Sequence, residues 1–448
     1  MKRILWFRRD LRVEDNPLLS FDGEVLPIFI FDSAILSKLK PNDKRLTFIF
    51  HYVAKLKSDL MACGLNLKIF YGDVQEIFTH LATLGFDEVA ACGDYDGYAK
   101  ERDKRVSHKL HFRYLQDTYL FRHDEVMKSD GTPYLVFTPF YKKALEVLAH
   151  KNVAHAKRGA QVLIASDYEG IFVHAKGNLQ KLPFALESIG FEAQNISITP
   201  PLKKLEALKK KLSRYQEERD YPALDATSDL SVDLRFGTIG VRQIVREIAG
   251  LEGSEAFVRQ LIFRDFYAYL LFHMPRIERE NFKHAFNGIA DQAKFELFCN
   301  AKTGVPIVDA GVRELLETGN MHNRVRMVCA SFFTKDLLLP WQWGEAFFAE
   351  HLLDFDKASN VLSWQWSAGT GVDPQPYFRV FNPYLQSKKF DSEGRYIKKY
   401  LPALAHLPTK YLHDEAYLSA HAIEGYPKPI VHHKDAAKKA VELFRGGL

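Results

Sequence analysis

The N-terminal part of the chain alternates short apolar runs with amphipathic stretches. The apolar runs have the length of buried strands and occupy residues 4–7, 25–31, 67–71 and 89–92. Two stretches between them, 43–63 and 74–84, carry apolar residues at helical spacing and end at glycines. This order predicts an α/β domain with a doubly wound parallel sheet, whose ligands would lie at the carboxyl ends of the strands. No G-x-G-x-x-G sequence occurs in this domain, so the standard dinucleotide fingerprint is absent from it.

The rest of the chain has a mostly helical pattern. Apolar residues recur at helical spacing in 202–215, 241–249, 254–273, 307–317, 324–338 and 435–444. Between 141 and 201 the pattern weakens into mixed, basic and glycine-containing sequence that ends in Pro200-Pro201. We therefore expect an α/β domain over 1–130, an interdomain connector over 131–201 and an all-helical domain over 202–448.

Composition narrows the class of protein. The chain has 448 residues, of which 47% are hydrophobic, enough for several globular cores. It contains no run of about 18 uncharged apolar residues and no apolar signal sequence at its start, so we expect a cytoplasmic protein without a membrane partner. We also expect a monomer. The four cysteines are far apart and form no CxxC or Cys/His cluster, which argues against disulfide bonds and a metal site. The formal charge of +5 is small and matters only if basic residues are concentrated on one surface.

Residues 319–391 hold the most distinctive combination of side chains. Four of the five tryptophans lie here, at Trp341, Trp343, Trp364 and Trp366. An Asp-x-Asp pair, an asparagine and several arginines accompany them. Aromatic rings beside charged groups are suited to hold a flavin and to bring an aromatic, anionic ligand up to it. Taken alone, an Asp-x-Asp pair is more often part of a solvated helix face.

A second cluster of charges, LWFRRDLRVEDNP at residues 5–17, follows the first predicted strand. On its own it is a charged loop, and surface salt bridges explain it as well as a functional role does. Together with the run at 319–391, however, it closely resembles the photolyase/cryptochrome family. The resemblance continues through VFTPFYKKAL, RYQEERDYPALDATSDLS, KTGVPIVDAGVRELLETGNMHNRVRM and YPKPIV. Within that family the chain is most similar to class I photolyases, which repair cyclobutane pyrimidine dimers with light.

The resemblance implies that the helical domain binds FAD. Five residues match positions that contact FAD, partly at its phosphates: Tyr215, Thr227, Ser228, Leu230 and Ser231. Free N–H groups at a helix start favour an anion, although hydroxyl residues there are also common as simple N-caps. Residues that match positions around the flavin ring and ribityl chain are Asp354, Asp356, Arg326 as the partner of the first aspartate, and Asn360 facing flavin N5. An asparagine can accept from a protonated N5 or donate to an unprotonated one, which is consistent with repair.

The resemblance also implies a partner, damaged DNA with a flipped pyrimidine dimer. Asn323, Met327 and Trp366 match dimer-contacting positions, and stacking on an aromatic wall contributes about 1–3 kcal/mol per base. Five basic residues match positions along the DNA groove: Arg219, Arg264, Arg324, Arg379 and Lys389. Each of them could instead form a structural ion pair. Because all five basic residues stand at matching positions, a role in the DNA groove is favoured over structural ion pairs.

Two residues of the implied lesion site depart from the family pattern. Gln260 stands where a carboxylate is expected to hydrogen-bond the thymine ring, and Phe263 stands where a second wall tryptophan is expected. Glutamine can still donate and accept, and phenylalanine can still stack over a smaller area. Glutamine at this place is similar to (6-4) photolyases and animal cryptochromes, but Asn323 replaces the first active-site histidine of the (6-4) enzymes. Asn323 therefore favours cyclobutane dimers as the lesion, and repair of (6-4) products is the alternative.

The electron supply departs from the pattern as well. Trp364 and Trp341 match the inner and middle members of a tryptophan chain that reduces the photoexcited flavin. The segment 286–291, which matches the outer member, contains no tryptophan, so Trp343 or a tyrosine would take its place. The Asn-Glu pair of a folate antenna is also missing near residues 98–100. The antenna chromophore is left unidentified.

Three functions are compatible with these residues. Asn360 and the complete MHNRVRM segment favour a repair enzyme. Gln260 and Phe263 favour a cryptochrome-like blue-light receptor that binds FAD and signals without repair. The groove arginines disfavour a redox flavoprotein without a DNA ligand. We therefore expect a carbon–carbon lyase that repairs cyclobutane pyrimidine dimers by electron transfer from photoexcited reduced FAD.

Overall fold

The computed structural model describes residues 1–151, 153–164, 166–175, 178–372 and 380–446. Contacts divide the chain into two compact units that are interleaved along the sequence. The first unit comprises Met1–Pro133, Phe140–Lys210 and Ser228–His273. The second unit comprises Tyr134–Pro139, Lys211–Thr227 and Met274–Leu448. The domain boundaries at 130 and 201 stay a prediction, because interleaved contact units do not correspond to consecutive domains.

The first unit is built around one β-sheet. Its strands, within the described residues, are β1 (Lys2–Phe7), β2 (Gly23–Asp32), β3 (Lys68–Gly72), β4 (Glu88–Cys92), β5 (His111–Leu115), β6 (Gln161–Leu163), β7 (Ile171–Ala175) and β8 (Asn178–Leu182). Their order is β5-β4-β1-β2-β3-β7-β8, and β6 pairs with the beginning of β2. The pairing is parallel from β5 across to β7, and β7 and β8 are antiparallel.

Apolar side chains cover both faces of this sheet. Residues of β1 alternate between two cores, with Leu5 and Phe7 in one and Ile4 and Trp6 in the other. The exposed fraction of each of these side chains is 2% or less. Strands buried on both faces appear in sequence as continuous apolar runs, which is why the pattern located β1 to β4. The predicted doubly wound parallel sheet is confirmed.

Helices form connections of the sheet and most of the second unit. Their bounds are α1 (Ser33–Leu36), α2 (Lys44–Ala62), α3 (Val74–Ala82), α4 (Gly97–Ser107), α5 (Phe137–His150), α6 (Pro201–Glu218), α7 (Ser231–Phe236), α8 (Val241–Ile248), α9 (Ser254–His273), α10 (Gln292–Cys299), α11 (Pro306–Thr318), α12 (Asn323–Ser331), α13 (Trp341–His351), α14 (Lys357–Ala368), α15 (Pro383–Phe390), α16 (Arg395–Tyr400), α17 (Thr409–Leu412), α18 (Glu415–Ala420) and α19 (His433–Gly446). Short 3₁₀ segments lie at Pro17–Ser20, Leu186–Ile189, Pro275–Glu278 and Pro402–Leu404, and a π-helical turn lies at Phe332–Asp336. The helical character predicted for the C-terminal part is confirmed.

The segment between 131 and 201 has more regular structure than its sequence pattern indicates. It contains α5 and the strands β6, β7 and β8. These strands are short, and β6 and β8 are partly exposed along their length, so they lack a continuous apolar run. The helix predicted over 324–338 also differs, because α12 passes at Ser331 into the π-helical turn. Leu338, which follows that turn, has a φ of 60°, outside the right-handed helical region.

The arginines that follow β1 are buried. Arg12 donates two hydrogen bonds to Asp117, at 2.8 and 2.6 Å, and Arg9 donates to Asp94 at 2.7 Å. Asp117 also accepts from Arg242 of α8 at 3.3 Å. Surface salt bridges therefore do not describe this loop, whose ion pairs hold α8 near the end of β1 within the first unit. The sequence could not show this, because the partner carboxylates are distant in the chain.

The described residues contain neither a membrane-spanning helix nor a metal cluster. None of their helices has both the length and the apolar character needed to cross a bilayer. Nor do those residues bring together three or more His, Cys, Asp or Glu side chains in a way that could hold a metal ion.

Candidate functional site

Arg326 and Asp354, implied neighbours of a flavin, form an ion pair in the second unit. Arg326 on α12 donates from Nη2 to Asp354 Oδ2 at 2.9 Å and from Nε to the carbonyl of Met321 at 2.7 Å. The Asp354 side chain is 8% exposed, and its other oxygen, Oδ1, is buried without a hydrogen-bond partner in the described part of the chain. A buried carboxylate oxygen without a donor is costly, so this atom marks a place where a donor of a ligand fits.

Asp356 lies at the start of α14. Its side chain accepts a hydrogen bond from Ser359 N at 3.1 Å and caps the helix. Asp354 and Asp356 are both largely buried, so they are not a solvated acidic face. The loop between α13 and α14 therefore holds two carboxylates, one paired with Arg326 and one at a helix N-terminus.

The side-chain amide of Asn360, in α14, has a defined orientation. Its Nδ2 donates to the backbone carbonyl and to Oε1 of Glu345, both at 2.9 Å. A backbone carbonyl can only accept, so the amide NH₂ group must face Glu345 on α13. The oxygen Oδ1 of Asn360 is consequently directed away from Glu345 and is available as an acceptor.

Glu345 carries no recognisable signal in the sequence, because its partners come from other elements. Its side chain is 12% exposed, and Lys357 Nζ lies 3.8 Å from its Oε1 and 3.9 Å from Glu278 Oε1. Burial raises the pKa of Glu345, and the ammonium group of Lys357 and the amide of Asn360 oppose this rise. Lys357 thus connects two carboxylates next to Asn360.

Trp364 and Trp341, the implied electron carriers, are each 2% exposed. Trp364 meets Phe333 edge to face, with ring centroids 5.3 Å apart. Its ring also touches the backbone of α13 at Gly344, where a Cβ atom would lie only 2.2 Å from the indole. Trp341 donates from Nε1 to Asn281 Oδ1 at 2.7 Å. Both indoles are therefore held inside the second unit.

The segment MHNRVRM forms the beginning of α12. His322 caps the helix, because its Nδ1 accepts from Arg324 N at 3.2 Å. Burial lowers the pKa of His322 to about 4, so the ring is neutral and its hydrogen is on Nε2, which is buried without a partner among the described residues. Asn323 and Met327 lie one turn apart, with Asn323 Nδ2 3.9 Å from Met327 Sδ. Trp366, the implied pocket wall, is half-buried on α14.

The second unit contains the groove candidates Arg219, Arg324 and Lys389. Arg324 forms an ion pair with Asp220, and its guanidinium lies 4.4 Å from the ring centroid of Phe390. The ammonium of Lys389 lies 5.0 Å from the centroid of the same ring. Arg324 and Lys389 are thus brought together from the start of α12 and the end of α15. Arg379 lies outside the described residues.

Three further candidates, Gln260, Phe263 and Arg264, lie on α9 in the first unit. Gln260 and Phe263 are both half-buried. Arg264 donates to the carbonyl oxygens of Thr118, at 2.7 Å, and of Leu234, at 3.2 Å. The guanidinium therefore has a structural role within this unit, and its contact with DNA stays a prediction.

The serines implied to meet the FAD phosphates lie at the start of α7, also in the first unit. Ser228 Oγ accepts from Leu230 N at 3.3 Å. Leu230 occupies the N-cap position, and no side chain of the described residues caps this helix. A simple serine N-cap therefore does not explain Ser228 and Ser231. The remaining FAD candidates, Tyr215 and Thr227, belong to the second unit.

Comparison with known proteins identifies the family. Residues 3–158 match DNA photolyase, and residues 257–446 match the FAD binding domain of DNA photolyase. The deoxyribodipyrimidine photo-lyase of Alkalihalophilus pseudofirmus is 35% identical over 99% of this chain and 98% of that protein. The chain belongs to the photolyase/cryptochrome family. Cryptochrome-2 of Arabidopsis thaliana is 32% identical over 96% of this chain and 76% of that protein.

A solved structure of the photolyase/cryptochrome family confirms the fold. The crystal structure of a bacterial class III photolyase from Agrobacterium tumefaciens has a TM-score of 0.84 and 31% sequence identity, over 99% of this chain and 97% of that one. The match of residues 257–446 confirms FAD as the cofactor. The second unit is compatible with it, because among the described residues Asp354 Oδ1 and His322 Nε2 have no hydrogen-bond partner and Asn360 Oδ1 faces away from Glu345. These are the atoms that the N–H and carbonyl groups of a flavin require.

Proposed function

We propose that the protein repairs cyclobutane pyrimidine dimers in DNA with light absorbed by its FAD. The arrangement of α12 carries this proposal. This short helix presents Asn323 and Met327 on one turn, and it also carries Arg326, which is paired with Asp354. Lesion contacts and flavin contacts on one helix would bring the two reacting groups side by side. The relatives named deoxyribodipyrimidine photo-lyase support the same function.

Bound FAD supplies the electron that light transfers to the dimer and that returns once the dimer has split. The side chains of this protein bind and orient the participants. Arg326 holds Asp354 so that its Oδ1 can accept a hydrogen bond. Asn360 offers an acceptor, which favours a protonated flavin nitrogen over an unprotonated one. The burial of both side chains excludes water from these contacts.

In the proposed complex with DNA, basic residues would bind the phosphates, and polar and aromatic residues would contact the lesion. Lys389 is exposed and can neutralise a phosphate, while Arg324 would do so beside its partner Asp220. Trp366 would stack on the dimer, and Asn323 would bind a base edge. Gln260 would donate to the thymine ring where other members of the family use a carboxylate.

A cryptochrome-like photoreceptor is the second candidate. It is favoured by the 32% identity to cryptochrome-2 and by Gln260 and Phe263 at the implied lesion site. Such a receptor would bind FAD through the same residues of the second unit and would leave damaged DNA unchanged. The monomeric state and the cytoplasmic location expected from the sequence stay predictions.

The test is to illuminate the chemically reduced protein with two oligonucleotides, one containing a cyclobutane dimer and one a (6-4) product. Restoration of intact thymine is followed by chromatography, with dark samples and Asn323→Ala as controls. We expect light-dependent repair of the cyclobutane dimer and a lower rate in Asn323→Ala. Repair of only the (6-4) product would show that this product, and not the cyclobutane dimer, is the lesion that the protein repairs. Repair of neither would favour the photoreceptor function.

A further inference from the structure

Trp343 differs from the two implied electron carriers in its contact with solvent. Trp341 and Trp364 are each 2% exposed, whereas Trp343 is half-buried on α13. A tryptophan that has passed an electron inward must be reduced again from solution and must release its indole proton to water. A half-buried ring can do both, and a fully buried one can do neither.

The segment 286–291, where the family pattern has an outer tryptophan, is closely packed at Gly288. Gly288 has a φ of 71°, a conformation that residues with side chains rarely adopt. A Cβ atom there would lie 2.6 Å from Pro340 N and 2.7 Å from the carbonyl carbon of Leu339. A side chain is therefore excluded at Gly288, so this position of the segment cannot hold a tryptophan.

A continuous row of aromatic rings connects Trp343 with Trp364. The ring centroids of Trp343 and Phe295 are 5.3 Å apart, those of Phe295 and Phe333 are 6.1 Å apart, and those of Phe333 and Trp364 are 5.3 Å apart. Each pair meets edge to face. Because electron transfer weakens steeply with distance, such contacts favour transfer between the two indoles.

The backbone gives a second and shorter connection. Gly344 follows Trp343 directly in α13, and a Cβ atom on Gly344 would lie 2.2 Å from the indole of Trp364. One peptide unit therefore separates Trp343 from a residue in contact with Trp364. The rings that contact Trp364 in the described part of the chain belong to Phe333 and Phe348, so a tyrosine is not among them.

We propose that Trp343 is the terminal electron donor for light-driven reduction of the flavin. This inference rests on the proposed function, because it takes Trp364 as the tryptophan beside the flavin. Trp364 gives one electron to light-excited FAD and takes one from Trp343 by way of the row of rings or the backbone at Gly344. Trp341, the implied middle carrier, is therefore not on this route. Trp343 releases its indole proton to water and regains an electron and a proton from a dissolved thiol. Two such reaction cycles convert two thiols into one disulfide and deliver two electrons to the flavin.

The test measures how fast the illuminated holoprotein with oxidised FAD becomes reduced in the presence of a thiol, by flavin absorbance. Trp364→Phe gives the background rate. We expect Trp343→Phe to lower the rate to near that background and Trp343→Tyr to restore part of it, because tyrosine can also be oxidised. Phe295→Leu should slow the reaction, since it removes the ring next to Trp343. Trp6→Phe, in the sheet, is the matched control and should leave the rate unchanged.

A second measurement locates the oxidised residue. Illumination in air without thiol should leave oxidation products on Trp343, detected by peptide mass spectrometry, and Trp364→Phe should abolish them. FAD content and melting temperature show that each variant is folded. An unchanged rate in Trp343→Phe, or oxidation at another residue instead, would overturn the inference. Dimer repair by chemically reduced protein does not need Trp343, so a failure of repair in the wild type contradicts the proposed function separately.

Discussion

The orientation of Asn360 depends on one neighbouring residue, Glu345. Both hydrogen bonds from Asn360 Nδ2 end on Glu345, one at its backbone and one at its carboxylate. Lys357 favours the ionised form of that carboxylate, whereas burial raises its pKa. A neutral residue that can donate at position 345 would compete for Asn360 Oδ1 and allow the amide to turn. Glu345 of the adjacent helix α13 thus determines that Asn360 presents its Oδ1 to a ligand.

We expect Glu345→Gln to make reduced FAD in the protein less stable towards oxidation in air. A hydrogen bond contributes about 0.5–1.5 kcal/mol, which corresponds to roughly 2- to 10-fold faster oxidation. The rate is followed by absorbance after chemical reduction in the dark. Ser363→Ala, at an exposed position of α14, is the control. Oxidation of Glu345→Gln at the wild-type rate would show that the Glu345 carboxylate is not needed to hold Asn360 in place.

Single residues were predictable from the sequence where they belong to a short motif. The pairing of Arg326 with Asp354 was implied by resemblance and is present in the structure. Glu345 and Lys357 were not found, because their contacts join different elements and leave no spacing in the sequence. His322 lies inside a recognised segment, but the burial of its Nε2 without a partner among the described residues depends on packing that only the folded structure shows.

Among the helices, α13 and α14 are in direct contact at Gly344. We expect Gly344→Ala to destabilise the protein by about 1–3 kcal/mol, because the added methyl group overlaps the ring of Trp364 and forces the helices apart. Urea denaturation followed by circular dichroism measures the change. Ser363→Ala, on the exposed side of α14, should alter stability by less than about 0.5 kcal/mol. Equal stability of Gly344→Ala and wild type would mean that the helices separate without cost.

The C-terminal helix α19 is anchored at its first residue. His433 Nδ1 lies 2.5 Å from Asp336 Oδ1, and His433 N donates to Glu415 Oε1 at 2.6 Å. Burial raises the pKa of Asp336 to about 6, against the effect of His433 and Lys335. Burial lowers the pKa of His433, but Asp336 and Glu415 outweigh it, so the net shift is upward. Tyr384 also lies near this group, and its buried hydroxyl is unpartnered in the described residues.

We expect the protein to lose stability as the pH rises above 6.5, the ordinary pKa of histidine. A raised pKa in the folded state means that His433 contributes stability below pH 6.5, and this is lost as the pH rises through its folded pKa. Asp336 acts in the same direction between pH 3.8 and about 6, because its protonated form is favoured by folding. Melting temperatures of wild type and His433→Gln are compared at about pH 6 and 9. Parallel pH profiles would contradict this role of His433.

For the whole molecule, the proposed binding of DNA must rest on local charge, because the formal net charge is only +5. We expect affinity for dimer-containing duplex to fall with salt, and Lys389→Ala to make the logarithmic slope shallower by about 0.9, the effect of one phosphate contact. Fluorescence anisotropy at several salt concentrations measures the slope. Lys55→Ala, which removes an exposed partner of Asp59, is the control. An unchanged slope would show that Lys389 does not contact a DNA phosphate.

The overall architecture was predictable only in part. Strands β1 to β4 were located because burial on both faces produces continuous apolar runs. Strands β5, β6 and β8 were missed because they are short and partly exposed, and β7 was missed because its apolar run, IFV, is only three residues long. The assignment of α9 to the first unit depends on contacts between distant residues, such as Arg264 with the carbonyl of Thr118, which no local pattern reveals.

The interleaving of the two units affects how the protein is made. A ribosome delivers Lys211–Thr227, which belongs to the second unit, before it delivers α9, which completes the first. The carboxylate of Asp265 on α9 accepts from Phe121 N at 2.9 Å, so this bond cannot form until α9 has emerged. A nascent chain interrupted before α9 leaves Phe140 without the ring of Phe266, whose centroid lies 4.9 Å from that of Phe140, and an uncovered apolar side chain favours aggregation. The described strands of the sheet end at Leu182, but the first unit gains its last helix only when translation has passed residue 273.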